Sequence, residues 1–135
     1  MTTFVNYFNL YTTINNLNTK KSMQLKDVII DGLVDGKANN ITCLDLRGVD
    51  GAVSDFFVIS HGDSAKHIEG INRSVYKKCM KELNEKPWHE EGKGNNEWIL
   101  MDYVNVVAHI FYKDARDTYN IEDLWGDAPV KQYLT

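Results

Sequence analysis

The amino-acid sequence predicts a single α/β (α+β) domain, a mixed sheet of about five strands flanked by helices packed mainly on one face. Three observations carry this expectation. Short apolar runs of strand length recur along the chain, among them ITCLDL (41 to 46), DFFVIS (55 to 60), WILMD (98 to 102) and VVAHIF (106 to 111). Stretches with helical periodicity alternate with them. The resulting order, helix, strand, strand, helix, then three strands and short helices, suits layers around one core. The 135 residues fit one domain.

The elements follow in chain order. Residues 1 to 22 hold five Asn, six Thr or Ser and no acidic residue, and their apolar residues lack a clean period. They are expected to form a poorly ordered leader ahead of a domain at 23 to 135. Met23 is a second candidate start; a transit peptide fits less well because Arg is absent there. Leu25, Val28, Ile29 and Leu33 then follow 3-and-4 spacing and predict a helix over 24 to 35, stopped at Gly36. Asn39-Asn40 reads as a turn and 41 to 46 as a strand. RGVDGAVS is a loop, and the continuous apolar run DFFVIS predicts a strand central in the sheet.

HGDS (61 to 64) offers Asp63 or Ser64 as a helix cap. Ile68, Ile71, Val75, Cys79 and Leu83 mark the buried stripe of the longest helix, which Glu85-Lys86-Pro87 ends. Residues 87 to 91 read as a short edge strand, where Pro is tolerated. Two strands joined tightly around Tyr103-Val104-Asn105 follow, then helical turns at 114 to 119 and 121 to 125, with Asn120 placed to cap the second.

Composition narrows the function. Hydrophobic content is 43% and charged content 25%, ordinary for a soluble domain. No apolar run approaches the roughly 20 residues of a membrane span. Cys43 and Cys79 stand apart in apolar surroundings and read as buried free thiols in a reducing, cytoplasmic compartment. A net charge of −4 argues against broad contact with nucleic-acid phosphates and favours a basic protein partner.

Tests for chemistry come back empty. His61, His67, His89 and His109 show no HExxH or paired Cys/His spacing, so no metal is expected. His89-Glu90-Glu91 would point to alternate faces of a strand. No nucleophile motif occurs, and Ser60 and Ser64 beside His61 and His67 are better explained by capping. HGDSAKH precedes a helix, but Asp63 would repel a phosphate. Neither a catalytic group nor a cofactor is therefore expected. His109 is read as a hydrogen-bonded structural residue or a surface contact. Asp114, Asp117, Glu122, Asp123 and Asp127 form either a solvated helix face or an acidic docking surface. Trp98, Tyr103, Tyr119 and Trp125 gather beside charged residues, as in a patch for a basic protein, although core packing is equally open to each.

The string SDFFVIS (54 to 60), HGDSAKHIEGI (61 to 71), EEG (90 to 92), WILMDYVNVVAHIF (98 to 111) and ARDTYNIEDLWGDAP (115 to 129) resembles the ribosomal silencing factors, the RsfS or Iojap family. The order W-x3-D-Y-x2-VV-x-H, then Y-x-I-E-x-LW, carries most of the specificity. The resemblance implies a fold similar to nucleotidyltransferases without their activity. It further implies docking on the large ribosomal subunit, through ribosomal protein fourteen at the intersubunit face, so that the small subunit cannot join and translation falls under nutrient limitation. Organellar relatives act in large-subunit assembly. The implied contact patch is Trp98, Met101, Asp102 and Tyr103, with Asn105 and the strand through His109. Aromatic anchors and the Asp102 carboxylate would suit a basic ribosomal protein.

One departure stands out. The family usually has Gly-Asp where this chain has Val104-Asn105. If that Gly has positive φ, Val104 must strain or the turn must change. Two other readings share the fold: a large-subunit assembly factor, and a metal-dependent nucleotidyltransferase, for which the acidic pair expected after the HGDS turn is missing. A homodimer is also compatible with a small domain bearing exposed aromatics.

Overall fold

The computed structural model describes residues 2–133. Helix α1 (Thr2–Asp35) leads into β1 (Asn39–Asp45) and β2 (Phe56–Gly62), then α2 (Ala65–Leu83). Strands β3 (His89–Glu91), β4 (Trp98–Asp102) and β5 (Val106–Tyr112) follow, then α3 (Lys113–Tyr119), α4 (Ile121–Leu124) and β6 (Val130–Tyr133). Among the described residues the sheet has six strands in the order β3-β4-β5-β2-β1-β6. Only the central pair, β2 with β5, is parallel; the other neighbours are antiparallel. The DFFVIS run is central, as its unbroken apolarity predicts.

The sixth strand was not expected. Val130–Tyr133 is short and three of its four residues are exposed, so it carries no alternation to read. It forms by pairing with the outer edge of β1, Leu44 opposite Val130.

Of the leader expected at 1 to 22, residues 2 to 22 are described. Thr2–Asp35 is one continuous helix. No Gly or Pro stands before Gly32 to interrupt it. Every residue from 9 to 21 is exposed, and burial begins at Ser22, whose hydroxyl donates to Asp55 Oδ2 at 2.7 Å. From there Leu25, Val28, Ile29 and Leu33 turn inward at the expected spacing.

The packed part of α1 lies against α2, and both cover one face of the sheet. That core joins Ile29, Leu33, Ile68, Ile71, Val75 and Cys79 to Ile41, Val58, Ile99, Met101, Ala108 and Ile110. Close approach of the two helices requires Gly32, where a Cβ would stand 2.8 Å from Val75 Cα. Ser74 Oγ donates to Gly32 O at 2.8 Å across the same gap. Ser64 caps α2, its hydroxyl accepting from His67 N–H at 3.0 Å, while Asp63 turns away to accept from Asn39 Nδ2. Both cysteines are buried free thiols, and burial pushes the Cys43 thiol up to about 11.

Helices are not confined to that face. α3 and α4 cover half of the other one, where Leu44, Leu46, Ile59 and Phe111 pack with Ala115, Ile121 and Ala128. Asn120 joins the two helices in the left-handed region, φ 44°, but its side chain bonds Asp123 and caps no backbone group.

Candidate docking groove

The half of the second face that α3 and α4 leave open forms a groove. Its floor is Phe57 of β2, Leu100 of β4, and Val107 and His109 of β5; Val53, Ser54, Trp88, Asp102 and Val104 surround it, enclosing about 460 Å³. Strand alternation explains the floor. Residues 99 and 101 face the helices, so 98, 100 and 102 face the opposite side, as do 107, 109 and 111. Three connections build the rim. Val53 comes from the β1–β2 loop, Trp88 from the segment before β3, and Val104 from the β4–β5 hairpin. These three apolar residues are 85%, 78% and 56% exposed. Apolar side chains meeting from three loops over this floor form one contiguous patch rather than scattered exposure.

The hairpin tip is held from several sides. Asp102 Oδ1 accepts from Val104 N–H at 2.7 Å, and Ser54 Oγ donates to Val104 O at 3.0 Å. Asp55 N–H and Phe56 N–H donate to Asn105 O at 2.8 and 3.2 Å. Trp88 N–H donates to Asp102 O at 2.8 Å, which seats the rim tryptophan beside the hairpin. Val104 adopts φ 76°, a left-handed backbone that strains a β-branched residue.

His109 sits at the inner end of the floor, only 4% exposed. Trp98 Nε1–H donates to its Nδ1 at 3.1 Å, so the neutral ring carries its proton on Nε2. Burial drives its pKa down to about 3. Nε2 has no hydrogen-bond partner among the described residues. Of the two open readings of His109, the hydrogen-bonded one holds, and the buried ring borders the groove.

The six patch residues taken from the sequence separate. Asp102 and His109 line the groove, and Asn105 is exposed at the adjoining tip. Trp98 lies behind the groove, half-buried, its ring 4.9 Å from Phe111 and 4.8 Å from Tyr119 between centroids. Met101 and Tyr103 do not join the patch. They are 0% and 6% exposed and belong to the core under α1 and α2, because odd-numbered positions of β4 face the helices. Burial, with the Cys79 thiol beside it, pushes the Tyr103 phenol up. Sequence reasoning missed Trp88, Val53 and Leu100. Trp88 had one readable signal, a tryptophan next to Pro87 outside any periodic run.

The acidic tail divides as well. Asp114, Asp117, Asp123 and Asp127 are exposed, but Arg116 is buried among them. Its guanidinium donates to Glu122 Oε1 (2.9 Å), Asn40 O (2.7 Å), Thr42 Oγ1 (3.1 Å) and His61 Nδ1 (3.0 Å). Burial, then Arg116, lowers the His61 pKa. The cluster locks α3 to β1 and β2 and is a structural clamp. His89 pairs with Glu91 and Lys93 with Glu90, and no group of three or more His, Cys, Asp or Glu among the described residues is placed to hold a metal. No helix among them is long and apolar enough to cross a membrane.

A family model described as "Ribosomal silencing factor during starvation" matches residues 19–134. The chain is 37% identical over 114 residues to the ribosomal silencing factor RsfS of Bacillus subtilis, covering 84% of this chain and 92% of that one. A crystal structure of a Chromobacterium violaceum protein superposes with TM-score 0.71 at 31% identity, over 77% of this chain and 85% of that one. The mouse protein named "Mitochondrial assembly of ribosomal large subunit protein 1" is 31% identical over 74 residues, 53% of this chain and 32% of its own length. The chain belongs to the ribosomal silencing factor family.

Proposed function

We propose that this protein docks on the large ribosomal subunit through the groove between the β4–β5 hairpin, Trp88 and Val53, contacts ribosomal protein fourteen there, and blocks joining of the small subunit by occupying its place. The observation that carries the proposal is the groove itself, an apolar floor with three exposed apolar rim residues and a carboxylate at the edge. Such a centre supplies burial, and the carboxylate supplies orientation. Asp102 commits Oδ1 to the Val104 N–H, which leaves Oδ2 for an Arg or Lys of a basic ribosomal protein. Occlusion requires a surface and no reactive side chain. Membership in a family of silencing factors supports the ribosome as the target.

The test is co-sedimentation of the purified protein with separated ribosomal subunits, with small subunits added as competitor. Binding to the large subunit alone, with fewer joined ribosomes, is the expected result; absence of binding to either subunit would overturn the proposal. Asp102→Asn keeps an acceptor for Val104 N–H while removing the charge, and should weaken binding roughly tenfold, the size expected for a lost charge-assisted contact. Asp102→Lys should weaken it further. Unchanged affinity in both would remove Asp102 from the interface.

A second reading, assembly of the large subunit, is favoured by the name of the mouse relative. It uses the same groove, and preferential sedimentation with immature large-subunit particles would identify it.

A further inference from the structure

Val104 is an expensive choice at its position. Residues 103–105 join β4 to β5; Tyr103 N–H donates to Val106 O at 2.9 Å, which leaves Val104-Asn105 as the turn, and Val104 has positive φ. Two-residue hairpins with positive φ at that position favour Gly, and a β-branched side chain there is a genuine outlier. The turn is further tightened by Asn105 N–H donating to Tyr103 O at 3.0 Å, the contact of a γ-turn.

The valine side chain stands outside the packed interior of the described residues. It belongs to neither core cluster and is 56% exposed. The hydrogen bonds that hold the tip use Val104 backbone groups with Asp102, Ser54 and the neighbouring main chain. A glycine would keep all of them and shed the strain. What the isopropyl group adds is the third apolar element of the groove rim, opposite Val53 and Trp88.

We infer that Val104 is a partner-contacting and specificity-determining residue: its strained conformation projects the side chain against an apolar patch on the large ribosomal subunit, so that stability of the free protein is exchanged for affinity. The inference rests on the docking reading above and deepens it. Strain held in place by surrounding contacts at a binding surface is the pattern expected of a functional outlier.

The experiment pairs thermal unfolding with large-subunit co-sedimentation for wild type, Val104→Gly and Val104→Asn. Both replacements tolerate positive φ, so neither threatens folding. Both should raise Tm by a few degrees and weaken large-subunit binding on the order of tenfold, as expected for losing a buried branched side chain from an interface. Variants that bind as tightly as wild type would overturn this inference and leave the docking proposal standing. A Tm that stays level or falls in both would show that Val104 carries no releasable strain, and would overturn it as well. A wild-type protein that fails to sediment with the large subunit would overturn both.

Discussion

His109 shows how one side chain can serve the interior and a surface together. Its Nδ1 accepts from Trp98, its ring lines the groove, and burial holds it neutral with a pKa near 3. The unfolded chain takes up that proton near pH 6.5, so between about 3 and 6.5 the unfolded state binds more protons than the native one. Stability therefore falls as pH drops through this window. From His109 alone the loss at pH 5 is about 2 kcal/mol. His61, also lowered by burial and by Arg116, adds in the same direction. We predict that chemical denaturation midpoints fall between pH 7 and pH 5, and that His109→Gln flattens the profile to the share left by His61. An equally steep profile in the variant would assign the dependence elsewhere. Side-chain direction was legible at some residues and lost at others. Alternation along β5 correctly grouped Val107, His109 and Phe111. The same rule applied to β4 separates Asp102 from Met101 and Tyr103. A patch read as the contiguous string 101–103 mixes the two faces.

At the scale of elements, α2, the packed part of α1 and five of the six strands could be read from period and length. The loops that build the groove rim could not. Val53, Trp88 and Val104 lie in segments with no period, and only folding brings them to one edge. The clamp on α3 was equally hidden. Arg116 looks like a lone positive charge in an acidic stretch, yet it is buried and reaches β1 and His61 of β2. Its four hydrogen-bond partners would lose their donor on truncation. Arg116→Ala is predicted to cost about 3 kcal/mol, the range for breaking a buried ionic cluster on one side. Urea unfolding measures it, and a change under 1 kcal/mol would show the clamp to be dispensable.

Across the whole molecule, stability is distributed unevenly. Residues 9 to 21 of α1 are exposed on all sides, whereas 25 to 33 carry buried positions against α2 and the sheet. Helices without a packed face are marginal in water. Hydrogen exchange should therefore divide α1 near Ser22, with amides of 9 to 21 exchanging orders of magnitude faster than those of 28 to 33. Uniform protection along the helix would mean that the exposed stretch is covered in solution. The sequence led to a leader ending at residue 22 because it lacks a core-facing period there. The burial boundary falls at the same residue even though the helix itself runs through it.

The parallel pairing at the centre of the sheet has a consequence in time. Phe56 of β2 lies opposite Val106 of β5, fifty positions later in the chain. During synthesis β2 emerges long before its neighbour exists, and contacts so distant in sequence form late. The groove floor takes Phe57 from β2, Leu100 from β4 and Val107 from β5. A nascent chain thus lacks a complete groove until His109 of β5 has emerged to join β2 and β4.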